Sequence, residues 1–370
     1  VSTLFLERNL QLLKDGGRVG IILPETYFHA PNQKNVRDFI FQHNIQWIID
    51  LPHNTFRPHN NAKCIAIVIQ KNTPQQAKIN MAVAEYVGHD HNGKPLYKYD
   101  KERNVYTSEI LDDTKEIIRE IKFKNSGTQY DSKYTFTVDA ELIKKSGILV
   151  PRYYWNSKKE EIADKAKKEN IQLISLQQLI DEGIIEYFDG NGSPSSEFKG
   201  TGDIPYIRVK DIVNWQIYKD PTALIPETEY KRLFKESKQL KEKDILYVRR
   251  GSYRIGSVAM VSPYDLKVIL TREILVLRVI DTYNKYNLTP EYLMYALSHK
   301  LAYEQSNNKI FIDTTLPNIA DRWKEIEIPI YQNEEKYNLI KDKVSEVVRN
   351  QWKSLKEISE MKSDYDIYNT

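Results

Sequence analysis

Cysteine is almost missing from this chain: Cys64 stands alone among 370 residues. A single thiol excludes an internal disulfide framework and any cysteine-rich zinc module. With no secretory leader pattern at the start, the expected setting is reducing and cytoplasmic. No apolar run approaches the roughly 20 residues that a membrane helix needs, so no membrane partner is expected. Also lacking is a Gly-rich strand-to-helix turn of the kind that cradles a nucleotide. The sequence enters a helical pattern directly at Val1, and this leads us to expect a piece of a longer protein.

What is present is ordinary globular material, 41% hydrophobic and 28% charged, and long enough for two or three domains. The net charge is only +3, but it is unevenly spread. Residues 199–278 hold 16 Lys and Arg against 10 Asp and Glu, a local excess of 6 that leaves the remainder at −3. A basic surplus confined to one region is the pattern expected of a nucleic-acid footprint, and a solvated surface of mixed charge is the competing explanation.

The first 70 residues alternate helix and strand. Leu4, Leu10, Leu12 and Leu13 mark an amphipathic helix stopped by Gly16-Gly17. The run 18-RVGIILP-24 predicts a short buried strand, and Val36 to His43 a helix. Next come 45-IQWIIDL-51 and 64-CIAIVI-69, the latter apolar enough to be covered on both faces. Residues 73–150 are more polar, with a charged helix expected near Thr107–Phe123. Lys158 to Asn170 predicts a surface helix, and 175-SLQQLIDEG-183 a further one. Several short strands between Pro- and Gly-rich turns follow. The stretch 334–364 predicts one long amphipathic helix, carrying Ile340, Val344, Val347, Val348, Trp352, Leu355, Ile358 and Met361 at spacings of mostly three and four.

Two blocks carry family resemblances. The order "GNGSPSS… GDIPYIRVKDI… DILYVRRGSYRIGSVAMV… ILVLRV", within about residues 171–330, resembles a target recognition domain of type I restriction–modification specificity subunits, a module also found in single-chain restriction–methylation enzymes. The trailing helix resembles the spacer helix that follows such domains. The opening stretch, "FLERNLQLLKDGGRVGIILPETYF… VRDFIFQHNIQWIIDLPHNTF… AKCIAIVIQK", resembles adenine-N6 DNA methyltransferases of the type I modification-subunit kind, past their catalytic tetrapeptide. That tetrapeptide, Asn/Asp-Pro-Pro-aromatic, and the Gly-rich methyl-donor motif do not occur here.

The resemblances together imply α/β and α+β classes. The C-terminal half of a Rossmann-like methyltransferase sheet is expected at 1–72, with its extension and connector at 73–150. A mixed α+β recognition domain is expected at 151–333 and a spacer helix at 334–370. The implied cofactor is S-adenosylmethionine in the whole methyltransferase, with none bound by this chain alone. The implied partners are double-stranded DNA and an upstream methyltransferase half, or a modification or restriction subunit. No catalytic residue is assigned here. The rival reading is a non-catalytic specificity or scaffold protein that docks a separate methyltransferase subunit.

Phe56 is the first candidate site residue, an apolar ring in the polar loop 51-LPHNTFRPHNNAK-63. It stands where the resemblance implies an aromatic that stacks on an adenine swung out of the duplex. A flipped base needs a flat apolar platform, and stacking of this kind is worth about 1–3 kcal/mol per base. On this reading Phe56 is accessible and its loop loosely packed; core packing is the alternative. Asn60, Asn61 and Lys63 follow in the same loop as candidate phosphate contacts, and a solvated loop explains them equally well.

The DNA-binding candidates are Arg249, Arg250, Tyr253 and Arg254, with Arg208, Lys210 and Arg272 as further members. Arginine can fork to guanine or to phosphate, and glycines such as Gly251 and Gly256 let backbone approach DNA. Trp215 either stacks or is buried, and Arg272 could pair with Glu273 or Asp244. His53, His59, His89 and His91 match no zinc spacing and read as loop histidines. Asp220 with Glu229 and Lys231 loosely mimics a nuclease set, and such spacing arises easily by chance in so charged a chain.

Overall fold

A computed structural model describes residues 2–127, 132–155, 159–251, 253–280, 283–313 and 316–364. The chain forms two compact units, one of residues 1–157 with 311–316, the other of residues 158–310 with 317–370. No helix among the described residues is long and apolar enough to cross a membrane.

The first unit is built on a mixed five-stranded sheet. Its strands are β1 (Arg18–Pro24), β2 (Asn44–Asp50), β3 (Cys64–Gln70) and β4 (Lys78–Val83). A separate hairpin contributes β5 (Tyr97–Asp100) and β6 (Val105–Ile110), and β7 (Thr135–Asp139) completes the sheet. The order across the sheet is β1-β3-β2-β4-β7. Strand β3 runs antiparallel to both β1 and β2, and β4 runs parallel to β2. Hence β1, β2 and β4 all end on the same side. Ile65, Ile67 and Ile69, spaced by two on one face of β3, are all buried in the core with Ile45, Ile48, Ile79 and Met81. Residues 78–83 and 135–139, within the stretch expected as the extension and connector of this domain, are strands of this same sheet.

Three expectations need correction here. The run 18–24 is a strand, but it is not buried: Leu23 is its one buried residue and Ile22 is 50% exposed. Among the described residues it pairs with β3 alone, and Arg18, Gly20 and Ile22, which share one face of it, stay exposed. In the first helix, Ser2–Leu12, the buried pair is Leu6 and Leu10, while Leu4 and Leu12 face out. Residues four apart share a helix face, and Leu12 lies nearly opposite Leu10. Lastly, Thr107 belongs to a strand, because 105–110 pairs with 97–100, and the helix begins only at Thr114. That helix buries Glu120, whose carboxylate accepts the backbone N–H groups of Lys133, Tyr134 and Thr135.

In the second unit a four-stranded antiparallel sheet takes its strands in the order Val258–Met260, Ile245–Val248, Ile274–Val279, Ile185–Asp189. All four residues of Ile245–Val248 are buried, as an apolar run between two neighbours should be. Strand Ile204–Ile207 pairs with Leu224–Ile225 and, in parallel, with Ile269–Leu270. Ser175 caps the helix Leu176–Asp181 by accepting the N–H of Gln178. The helix Glu334–Asp364 spans the predicted range, and Tyr337 stacks on Tyr292 with ring centroids 4.1 Å apart.

Candidate base-stacking loop and nucleic-acid interface

In the first unit, sites belong by general rule at the carboxyl ends of parallel strands. There β1 ends at Pro24, β2 at Asp50 and β4 at Val83. Four charged side chains gather at that edge. The Lys63 ammonium donates to the Asp50 carboxylate and to the Leu51 carbonyl. It also lies 3.8 Å from Glu25, and Arg152 reaches Asp50 at 3.6 Å. Glu25, Asp50 and Lys63 are buried. Glu25 accepts the N–H of Ile312 at 2.8 Å and donates its own N–H to the Lys63 carbonyl at 2.9 Å. Burial pushes the Glu25 carboxyl up to about 7, against the opposing pull of Lys63.

Lys63 is therefore no solvated loop residue. Its chain end turns inward and ties the far stem of the Phe56 loop to the near stem. Between the stems the loop closes in successive turns: Thr55 N–H to Pro52 O at 3.1 Å, Arg57 N–H to Asn54 O at 2.9 Å, Asn60 N–H to Phe56 O at 2.9 Å. The loop is thus more ordered than the sequence led us to expect. The Phe56 ring is half-buried, neither sealed in the core nor fully open. His53 lies 3.5 Å from Arg57, and burial first, then the Arg57 and Lys63 charges, lower its pKa.

In the second unit the fold gathers residues that lie far apart in sequence. Strand Ile245–Val248 ends, Ile274–Val279 begins, Ile185–Asp189 ends and Val258–Met260 begins at one end of the four-stranded sheet. Arg249, Arg250, Tyr253 and Arg254 lie in the connection at that end, and Arg272 lies just before Ile274. Arg250 and Arg272 are exposed and form no ion pair among the described residues. The Tyr253 ring is 85% exposed, with the Arg254 guanidinium 5.7 Å from its centroid. Arg254 also donates to the Ile212 carbonyl, and Arg249 binds Asp189 at 2.9 Å. Arg272 pairs with neither Glu273 nor Asp244; Asp244 is taken by Arg278.

Other candidates are otherwise engaged. Arg208 is held by Asp211 and Asp220, and Lys210 by Asp220 at 3.1 Å, so two cations there meet two carboxylates. Trp215 packs against the core and donates from Nε1 to Ser298 at 2.7 Å. Asp220 is held far below the carboxylate range by Thr222 and then by its cationic partners. Glu229 is lowered by Arg232 and also accepts the N–H of Ser195. No group of three or more metal-ligating side chains occurs among the described residues. Lys238, which sequence reasoning passed over together with its neighbour Lys235, lies within electrostatic reach of Lys235, Arg249 and Arg272. Their one sequence signal is the local basic excess.

Residues 2–162, less than half of the chain, match the family model described as N-6 DNA Methylase. No curated protein matches the chain. Among solved structures it is similar to the type IIG restriction endonuclease BpuSI, with 13% identity, a TM-score of 0.36, and coverage of 93% of this chain and 44% of that one. It is similar to the HsdS subunit from Thermoanaerobacter tengcongensis, with 15% identity, a TM-score of 0.31, and coverage of 68% and 54%. A modification subunit of a putative type I restriction enzyme from Vibrio vulnificus YJ016 gives 16% identity, a TM-score of 0.28, and coverage of 40% and 30%. The chain therefore spans between 30% and 54% of the length of these solved chains.

Proposed function

We propose that this chain serves a restriction–modification adenine-N6 DNA methyltransferase as its sequence-recognising portion. The observation that carries the reading is the N-6 DNA Methylase match over residues 2–162, the stretch that forms most of the first unit and holds the Phe56 loop. In this reading the first unit is the closing part of a Rossmann-like methyltransferase sheet. Phe56, standing past the carboxyl end of β2 on a loop stapled by Lys63, is the platform for a flipped adenine. S-Adenosylmethionine supplies the methyl group, and no residue of this chain is assigned to holding it. The chain's own work is positioning and base extrusion.

The second unit, with the spacer helix Glu334–Asp364, reads the sequence in duplex DNA. Support comes from the convergence of Arg249, Arg250, Tyr253, Arg254 and Arg272 at one sheet end. There exposed arginine forks and an exposed aromatic ring stand together. Arg208 and Lys210, charge-compensated by their carboxylates, shape that end of the unit.

Duplex binding over a salt series tests the proposal. Phosphate contacts release counterions, so affinity should fall by orders of magnitude between about 50 and 200 mM salt. An isotherm indifferent to salt over that range would refute it.

A further inference from the structure

The loop that follows Asp189 is pressed hard against the strands behind it. Gly190 donates its N–H to the Ile274 carbonyl at 2.9 Å, and Gly192 donates to the Leu270 carbonyl at 3.1 Å. A Cβ on Gly190 would stand 2.0 Å from the Thr271 carbonyl oxygen, so only glycine permits this approach. The approach presents the Gly190 carbonyl to Lys238, whose ammonium donates to it at 3.0 Å. On the other flank the Arg272 Nε lies 3.6 Å from where a Gly192 Cβ would be, so that guanidinium sits over the bare glycine backbone.

The charge around this loop is unbalanced. Lys235, Arg249 and Arg272 all act on the half-buried Lys238 ammonium, and Asp189 is the strongest opposing charge. Asp189 is already bound to Arg249. Burial first, and then the like charges, pull the Lys238 pKa down. Gathering four cations about one loop costs the free protein stability, and a polyanion would relieve it.

Resting on the reading of the second unit as a DNA-binding unit, we infer that Lys235, Lys238 and Arg272, set around the Gly190–Gly192 loop, form a site that grips the sugar–phosphate backbone of duplex DNA. Lysine is a point charge with rotatable donors and no planar fork, which suits a phosphate oxygen and carries little base information. One Lys238 hydrogen is spent on Gly190, and this fixes the direction of the ammonium. The site therefore sets register and affinity, while Arg250 and Tyr253 are left to face base edges.

The test uses the full chain and a duplex over a series of salt concentrations. Lys235→Gln with Lys238→Gln removes both charges, and glutamine at 238 can still donate to the Gly190 carbonyl. The slope of log affinity against log salt should become shallower by about 1.8, roughly 0.9 for each phosphate left without its lysine. The ratio of affinities between duplexes of different sequence should not change. Lys235→Arg with Lys238→Arg keeps the charge and should keep the wild-type slope. An unchanged slope in the glutamine variant, with wild-type binding intact, overturns this inference and leaves the DNA reading standing. A changed sequence ratio, or an arginine variant as shallow as the glutamine one, overturns it too. Failure of the wild-type chain to bind duplex DNA overturns both.

Discussion

Glu25→Gln should make the first unit more stable at pH 8 and leave it nearly unchanged at pH 5. The carboxyl is 3% exposed and titrates near 7, against an ordinary value of 4.5. The folded state thus holds a proton that the unfolded chain releases. Between pH 4.5 and 7 the native protein binds more protons than the unfolded one, so stability falls as pH rises through that window. At about 1.4 kcal/mol per unit, the loss reaches on the order of 3 kcal/mol above pH 7. Glutamine copies the neutral acid: its carbonyl can still accept the Ile312 N–H, and Lys63 keeps Asp50 and the Leu51 carbonyl.

Two histidines in the same unit act in the opposite direction. His43 and His53 are both lowered by burial, so they bind fewer protons when folded and add stability as pH rises toward the unfolded value of 6.5. The difference between wild type and variant removes their contribution. Urea unfolding, read by pulse labelling of amides in β2 and β3 so that the second unit is not counted, gives that difference at each pH. A wild-type and a variant curve that run parallel from pH 5 to 8 would refute the reasoning.

Phe56→Ala should cost less than the roughly 3 kcal/mol that marks removal of a fully buried ring, because the side chain is only half-buried. In a methylation-competent enzyme it should also weaken the brightening of a fluorescent adenine analogue at the target position, and an unchanged signal would count against the platform. Arg250→Ala should leave thermal stability within about 0.5 kcal/mol while weakening specific duplex binding by about 1–3 kcal/mol and altering sequence preference. Arg208→Ala should do the reverse, because it strips a partner from the buried Asp211, and calorimetric unfolding beside a binding isotherm separates the two. Gly190→Ala should destabilise the second unit and loosen its hold on Ile274 and Leu270, visible as faster amide exchange in 190–192. Wild-type exchange there would mean that the close approach to Thr271 is not rigid.

Local pattern in the sequence determined much of this protein. The apolar stretch in 18-RVGIILP-24, the apolar run 64-CIAIVI-69 and the three-and-four spacing of 334–364 each specify an element through neighbours a few residues apart. The single cysteine and the basic excess in 199–278 likewise need no structure. Pairing across the chain is another matter. That β1 is an edge strand depends on which strand lies beside it, and periodicity is silent on neighbours. The stretch near Thr107 reads as helix until 97–100 is set opposite it.

The site was split in the same way. Arginines grouped at 249–254 are visible as a group. Their meeting with Arg272 follows only from four antiparallel strands that begin or finish at one end of the sheet, and Lys238 joins them through its bond to the Gly190 carbonyl. Lys63 shows the limit most sharply. In a loop of Asn, His and Arg it reads as one more solvated cation. Whether a lysine faces water or turns inward is decided by what waits inside, and here that is Asp50, Glu25 and the Leu51 carbonyl, brought together by the sheet. A buried ammonium is stable only with such partners around it, and the distance between them in sequence leaves no local trace.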